Sequence, residues 1–297
     1  MRVLVLGGSG MLGHKVYQTL RETFDTRVTL RSRDAAEAAL PGLFDPAEII
    51  DGVDARDPAT VRRAIALAEP EAVINCIGII KQLPAAHDAV ASISVNALLP
   101  HQLAEMCAAR GARLVHISTD CVFSGRQGGY TEADIPDPPD LYGRSKLLGE
   151  VTGPGAITLR TSIIGRELAS RNGLVEWFLS APGPAVRGYT QAVFSGLPTL
   201  ALAQVIAQVV HDFPEASGLY HVAADPIAKF DLLQLLGAAY GRPVTVEPFP
   251  DVRIDRSLDG SRFAALTGFR AAPWPELIAA MAADPTPYTE WRSAHGH

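Results

Sequence analysis

Apolar positions in the first half of the chain follow two alternating rhythms. Short β-rich runs stand between longer stretches with helical spacing. Arg2–Leu6 is an apolar strand that stops at Gly7. Met11–Thr23 follows, with Leu12, Val16 and Leu20 four residues apart on one helix face. Arg27–Leu30 and Glu48–Val53 read as the second and third strands, and Pro58–Ala68 as a helix with proline at its start. Ala72–Ile77 is a buried strand ending at Gly78, Val90–Arg110 a long helix stopped by Gly111, and Arg113–Ser118 another apolar strand. A chain that crosses over through a helix before each new strand pairs its strands in parallel. The pattern therefore predicts an α/β fold, a doubly wound parallel sheet over residues 1–164.

From about Gly165 the rhythm breaks, and prolines and glycines become frequent, as in APGPAVRGY. Residues 165–283 are expected to form a smaller C-terminal lobe of separate pieces, some returning to the sheet. Helices are predicted near Leu200–Asp212 and Ala228–Tyr240. Residues 284–297 read as a loose tail.

Composition narrows the function. Of 297 residues, 47% are apolar and 20% charged, the balance of a soluble globular protein, and the net charge of −6 offers no basic face for nucleic acid or an anionic membrane. The N-terminal apolar run Val3 to Leu6 is too short for a signal-peptide core, and no run approaches the roughly 18–20 apolar residues that span a bilayer. Cys76, Cys107 and Cys121 share no CxxC spacing, so neither a disulfide framework nor a metal site is expected. The reading is a reduced, cytoplasmic protein.

Two motifs carry chemistry. The first is Gly7-Gly8-Ser9-Gly10-Met11-Leu12-Gly13, between the first strand and the first helix. It fits GxxGxxG through Gly7, Gly10 and Gly13. Glycines allow the tight turn and the approach of a pyrophosphate to bare backbone, and the helix N-terminus supplies N–H groups and positive dipole. This context predicts a bound dinucleotide. The second strand ends in Leu30-Arg31-Ser32-Arg33, where an acidic residue would hold an NAD ribose and arginines would pair with a 2′-phosphate. Arg31 and Arg33 favour NADP (as NADPH). Asp34 could serve a ribose, so NAD stays open, and two solvated loop arginines are the plain alternative.

The second motif joins Thr119-Asp120-Cys121 at a strand end to Tyr142-Gly143-Arg144-Ser145-Lys146, about 23 residues later. A spacing of four puts Tyr142 and Lys146 on one helix face. A phenol with its usual pKa of about 10 is a poor base at neutral pH, and a lysine ammonium beside it is expected to lower that value. Tyr142 is then the acid/base for a carbinol oxygen, with a hydroxyl from Thr119 or Ser118 orienting the same atom.

These residues resemble the extended short-chain dehydrogenase/reductase superfamily, a Rossmann-fold group, and within it the dTDP-4-dehydrorhamnose reductase family. STDCVFSG…YTEADIPDPPDLYGRSKLLGE is similar to that family's STDYVFxG…YxExD…P…YGxSKxxGE, and LRTSIIGR to its LRTSWVYG; the resemblance covers roughly residues 1–270. It implies a reductase of a keto nucleotide sugar. Thr119 and Asp120 would contact the sugar, Tyr142 would be the acid/base, and Lys146 would hold the nicotinamide ribose. Met11, Leu12, Asp54, Ala55, Cys76, Ile77 and Gly78 would line the cofactor. Asn96 would support the catalytic helix through the backbone, or is simply a capping or buried amide. Two departures, Cys121 and Ile163 where the family has aromatics, lie near the implied substrate. Lys81 lies where substrate could pass, although an exposed loop lysine is the simpler reading.

Further substrate contacts are sought in the smaller lobe. Arg187, in Arg187-Gly188-Tyr189-Thr190-Gln191, and Arg256 offer cations for a diphosphate. Other readings of the same scaffold are an epimerase or dehydratase and a regulatory subunit without turnover, and a homodimer is compatible with all of them. Dehydratases of the superfamily carry Asp-Glu after the threonine, and Asp120-Cys121 counts against that activity. Retention of Thr119, Tyr142 and Lys146 counts against a pure binding module.

Overall fold

The computed structural model describes residues 1–80, 88–168 and 170–294. Its centre is a seven-stranded sheet built from β1 (Arg2–Leu6), β2 (Asp25–Thr29), β3 (Ile49–Ile50), β4 (Ala72–Asn75), β5 (Arg113–Thr119), β6 (Ala156–Thr161) and β10 (Gly218–His221). The order is β10-β6-β5-β4-β1-β2-β3, and every neighbouring pair is parallel. The chain starts at the centre, winds to the β3 edge, then restarts beyond β1 at β4. The strand order thus reverses between β1 and β4, where a doubly wound sheet opens a crevice at its carboxyl edge.

The strand period of two sorts the core into two layers. Val3 and Val5 face one side, where they share a cluster with Val16 and Leu20 of α1 (Gly13–Leu20) and Leu202 and Ile206 of α8 (Thr199–Asp212). Leu4 and Leu6 face the other side, against Val61 and Ile65 of α3 (Pro58–Ala68) and Leu99 and Leu103 of α5 (Leu99–Ala108). Helix α2 (Arg33–Ala39), capped by Ser32, connects β2 to the edge.

The long helix predicted over Val90–Arg110 forms as α4 (Ala89–Ser92), a π-helical turn at Ile93–Leu98, and α5. Pro100 has no N–H to return to the Asn96 carbonyl, which widens the helix there. That carbonyl is covered by Gly149, where a Cβ would lie 2.0 Å from it.

Beyond residue 164 the chain builds two small sheets. In the larger, β8 (Ala185–Phe194) pairs in parallel with β12 (Thr245–Asp255) and antiparallel with β11 (Ile227–Ala228). In the smaller, β7 (Ile163–Ile164) pairs with β9 (Leu197–Pro198). Helices α7 (Leu174–Ser180), α9 (Lys229–Ala239), α10 (Ser261–Thr267) and α11 (Trp274–Ala282) complete this half. Two of its elements, α8 and β10, belong to the main sheet layers.

The predicted loose tail is corrected for residues 284–294. α12 (Tyr288–Ala294) is docked, with Tyr288 3% and Trp291 8% exposed, because both aromatic rings join the larger core cluster. Among the described residues no helix is long and apolar enough to cross a membrane.

Arg113 shows how tightly the second half is joined to the sheet. From the start of β5 its buried guanidinium donates to the Val209 carbonyl at 2.9 Å and the Ala216 carbonyl at 2.8 Å, at the end of α8 and in the approach to β10. Arg113→Ala is expected to cost about 2–3 kcal/mol of stability through these charge-assisted bonds. Hydrogen exchange should rise first at residues 218–221; an unchanged unfolding midpoint and exchange pattern would show the contacts to be idle.

Candidate active site

The glycine-rich turn lies where the crevice opens. Its amides reach back to β2: Gly7 N–H donates to Thr29 Oγ1 at 3.1 Å and Gly8 N–H to the Thr29 carbonyl at 3.1 Å. A Cβ on Gly8 would stand 2.2 Å from Val28 Cγ2, and one on Gly13 would stand 2.1 Å from the Gly7 carbonyl oxygen. These two glycines are required by packing. Gly10 is different, since its Cβ would meet only the Gly7 carbonyl at 3.2 Å. Its open side is the bare surface a pyrophosphate needs, and α1 begins there without a side-chain cap on its first N–H groups. The chain therefore fits a dinucleotide cofactor.

Residues expected around that cofactor divide into two sets. Ile77 packs on Gly7 across the β1–β4 gap, and Cys76 and Gly78 flank it. Burial pushes the Cys76 thiol up to about 12, so it stays protonated. Leu12 is buried in the core and offers backbone only. Ala55 packs, half-buried, on the opposite core layer. At the end of β2, Arg31 is exposed beside Asp54, whose carboxyl is held low chiefly by hydrogen bonds from Arg56 and in smaller part by the Arg31 charge. The Arg33 guanidinium turns away to the Ile49 carbonyl at 3.3 Å. The two arginines that the sequence paired are thus separated, and Arg31 is the one left facing solvent.

Thr119 ends β5 and caps the 3₁₀ turn Asp120–Val122, accepting from Cys121 N–H at 3.1 Å. Tyr142 and Lys146 lie on α6 (Leu141–Leu148), capped by Asp140, which accepts from Gly143 N–H at 2.8 Å. Gly143 brings this helix against the turn: a Cβ there would be 2.2 Å from the Cys121 carbonyl oxygen. The approach sets the Tyr142 hydroxyl beside the Thr119 hydroxyl, as hydrogen-bond partners, with Cys121 and Asp120 close by. Ser118, the alternative donor, is committed elsewhere, donating to Glu150 Oε1 at 2.7 Å.

The protein's own groups do not lower the Tyr142 pKa. Burial raises it above the ordinary tyrosine value, Cys121 and Asp120 add to the rise, and the Thr119 hydrogen bond only partly opposes them. Lys146 does not offset this, because its ammonium is drawn to the Ile117 carbonyl at 2.7 Å. Burial lowers Lys146 to about 8, against the attraction of Glu150 and Cys76.

Asn96 acts through its side chain. It accepts from Ile79 N–H at 2.8 Å and donates to the Ile79 carbonyl at 2.9 Å and to Ser145 Oγ at 3.2 Å, so it joins the loop after β4 to α6. Arg256 reaches the same region, donating from Nε to the Phe123 carbonyl at 2.9 Å. Arg187 does not. Arg256 N–H bonds Val193, and Arg187 lies six residues back along β8, about 20 Å away, with its guanidinium over Phe249. Lys81 falls outside the described residues.

Residues 1–284 match the family described as RmlD substrate binding domain. The chain belongs to that family. A relative in the RmlD family, the dTDP-4-dehydrorhamnose reductase of Mycobacterium tuberculosis (strain H37Rv), is 28% identical over 316 residues, covering 99% of this chain and 90% of the relative. Methionine adenosyltransferase 2 subunit beta of Rattus norvegicus is 31% identical over 176 residues, covering 56% of this chain and 48% of that protein. The structure of dTDP-4-dehydrorhamnose reductase from Bacillus anthracis, solved in complex with NADP, superposes with a TM-score of 0.77 at 23% identity, covering 96% of this chain and 99% of that one. That likeness shows the shared fold.

Sequence reading missed one buried group beside these residues. Glu150 and Arg160 form a buried bidentate pair, with Nε to Oε1 and Nη2 to Oε2 both 2.7 Å, directly behind Ser118. Both lie inside the motifs LLGE and LRTS. The available signal was two opposite charges in otherwise apolar strand and helix ends.

Proposed function

We propose that this chain is an NAD(P)H-dependent reductase of a keto nucleotide sugar, with Tyr142 as proton donor. The observation that carries the reading is the Tyr142–Thr119 hydroxyl pair at the carboxyl end of β5. A nicotinamide cofactor, when bound, supplies the hydride. The protein's part is the proton and the geometry. A phenol whose pKa is raised by burial remains protonated at neutral pH, which suits an acid that must deliver a proton to a carbonyl oxygen as it becomes a hydroxyl. Thr119, the hydrogen-bond partner of that phenol, would orient the same oxygen. Lys146, still largely cationic at neutral pH, offers an ammonium behind the phenol for the ribose hydroxyls.

The substrate class follows two relatives that cover 99% and 85% of this chain, a dTDP-4-dehydrorhamnose reductase and a dTDP-4-keto-6-deoxy-D-glucose reductase. The subunit relative covers little more than half. Retention of Thr119, Tyr142 and Lys146 favours turnover. The same reading places the protein in the cytoplasm, with its three cysteines free, and accommodates a homodimer.

Three tests follow. Tyr142→Phe keeps the ring and removes the proton; kcat with a 4-keto nucleotide sugar should fall by about 10²–10⁴ while NADPH binds nearly as before. Activity close to wild type would remove Tyr142 from its role. Arg31→Ala should raise the KM for NADPH about ten- to a hundredfold and leave that for NADH little changed, while Arg33→Ala should not alter the ratio. Equal effects of the two variants would contradict the separation of their side chains. For the substrate, Arg256→Ala should raise KM by a similar factor of about ten or more with the cofactor Kd unmoved, and Arg187→Ala should change neither. A larger effect at Arg187 would locate the diphosphate at the far end of β8.

A further inference from the structure

The C-terminal segment joins the glycine-rich turn to the substrate lobe. Lys15 of α1 pairs with Asp284 at 2.5 Å and donates to Thr286 Oγ1 at 2.7 Å. The Tyr288 hydroxyl lies 2.7 Å from His14 Nε2, and His14 Nδ1 lies 2.8 Å from the Gly10 carbonyl. Lys15, His14 and Tyr288 are all buried. On its other side the segment holds the loop before α7. Arg292 binds the Glu176 carboxylate and the Glu167 carbonyl. Glu176 also pairs with Arg166 at 2.6 Å, whose guanidinium lies over the Tyr288 ring. Glu167 in turn accepts from Gly173 N–H at 2.6 Å, and a Cβ on Gly173 would stand 2.8 Å from Met11 Cε. The segment therefore braces the glycine-rich turn twice, through His14 and through the loop against Met11.

The chemistry of the link has one direction. The Gly10 carbonyl can only accept, so the proton is on Nδ1, and Nε2 accepts from Tyr288. Burial lowers the imidazole to about 4, so it is neutral at physiological pH and keeps this arrangement. The phenol has a shorter path to His14 than to Asp284, which is 3.4 Å away. The Gly10 carbonyl also accepts from His14 N–H at 3.2 Å, so two bonds turn it towards α1. No peptide bond among the described residues is cis, and in a trans peptide the carbonyl and the following N–H point in opposite directions. Fixing the Gly10 carbonyl therefore aims the Met11 N–H away from the helix, into the crevice.

We propose that His14 and Tyr288 are positioning residues for the cofactor: the C-terminal segment locks the Gly10–Met11 peptide so that its N–H is presented to the pyrophosphate. The inference rests on the crevice being a nicotinamide-dinucleotide site. It adds a role for residues past 284, where the family match ends.

The test uses the full chain with Tyr288→Phe, which keeps the ring, and His14→Asn, which keeps a donor near Nδ1 but has no Nε2. Each should weaken NADPH binding, read by fluorescence titration, by about tenfold, the cost of one buried hydrogen bond with a stranded partner. Amide exchange at residues 10–14, measured without nucleotide, should quicken in both. The double variant should bind no worse than either single one, because both cut the same link. Unchanged affinity, unchanged exchange at residues 10–14, or fully additive losses would each overturn the proposal. A wild-type chain that binds neither NADPH nor NADH would instead overturn the cofactor reading itself, an outcome the variants do not mimic.

Discussion

The buried pair of Glu150 and Arg160 is the interaction on which the arrangement of the site depends. Their side chains are 7% and 4% exposed, and two charges taken that far from water cost more than their attraction returns unless every remaining polar atom is satisfied. The surroundings meet that condition. Ser118 donates to the carboxylate, His221 Nε2 lies 3.3 Å from the guanidinium, and the guanidinium lies over the Phe123 ring at 5.3 Å. His221 extends the frame, with Nδ1 3.0 Å from the Tyr130 carbonyl and its backbone N–H donating to Glu132 Oε1 at 2.8 Å. One network thus fixes the end of β5, the end of α6, β6, β10 and the loop at 130–132. Thr119, Tyr142 and Lys146 stand on those elements, and removing either charge would leave its partner stranded under them.

The electrostatics of the site follow from the same burial. Desolvation raises the phenol and lowers the ammonium, so both groups are held nearer neutrality than they would be in water. Lys146 does not draw the phenol towards ionisation, because the Ile117 carbonyl has claimed its ammonium. A tyrosine held protonated beside a hydroxyl fits the proton-donating role proposed for it.

Much of this was legible in the sequence. The alternation of short apolar runs with helical spacing foretold the parallel sheet, since Val3–Leu6 is a short continuous apolar run and Leu12, Val16 and Leu20 recur every four residues. Gly7 to Gly13 marked the glycine turn after β1, and Thr119, Tyr142 and Lys146 marked the end of β5 and the helix that packs against it. Helix α3 has the bounds its pattern predicted, because Pro58 and the apolar spacing act locally. The β8–β12 ribbon was not legible: its residues are mostly half-buried or exposed, so no strict alternation was imposed on them.

The sequence by itself determined the local matters: which runs form strands and helices, where glycine must stand, and which hydroxyl, phenol and amine belong to one site. Only the tertiary structure decided the partners. It separated Arg31 from Arg33 and Arg256 from Arg187, gave Ser118 to Glu150, set Thr119 beside the phenol, and drew the tail back onto α1. The reason is physical. Periodicity and turn chemistry act within a few residues of chain, whereas desolvation and hydrogen bonding depend on groups such as His14 and Tyr288 that are distant in sequence and meet only once the chain is folded.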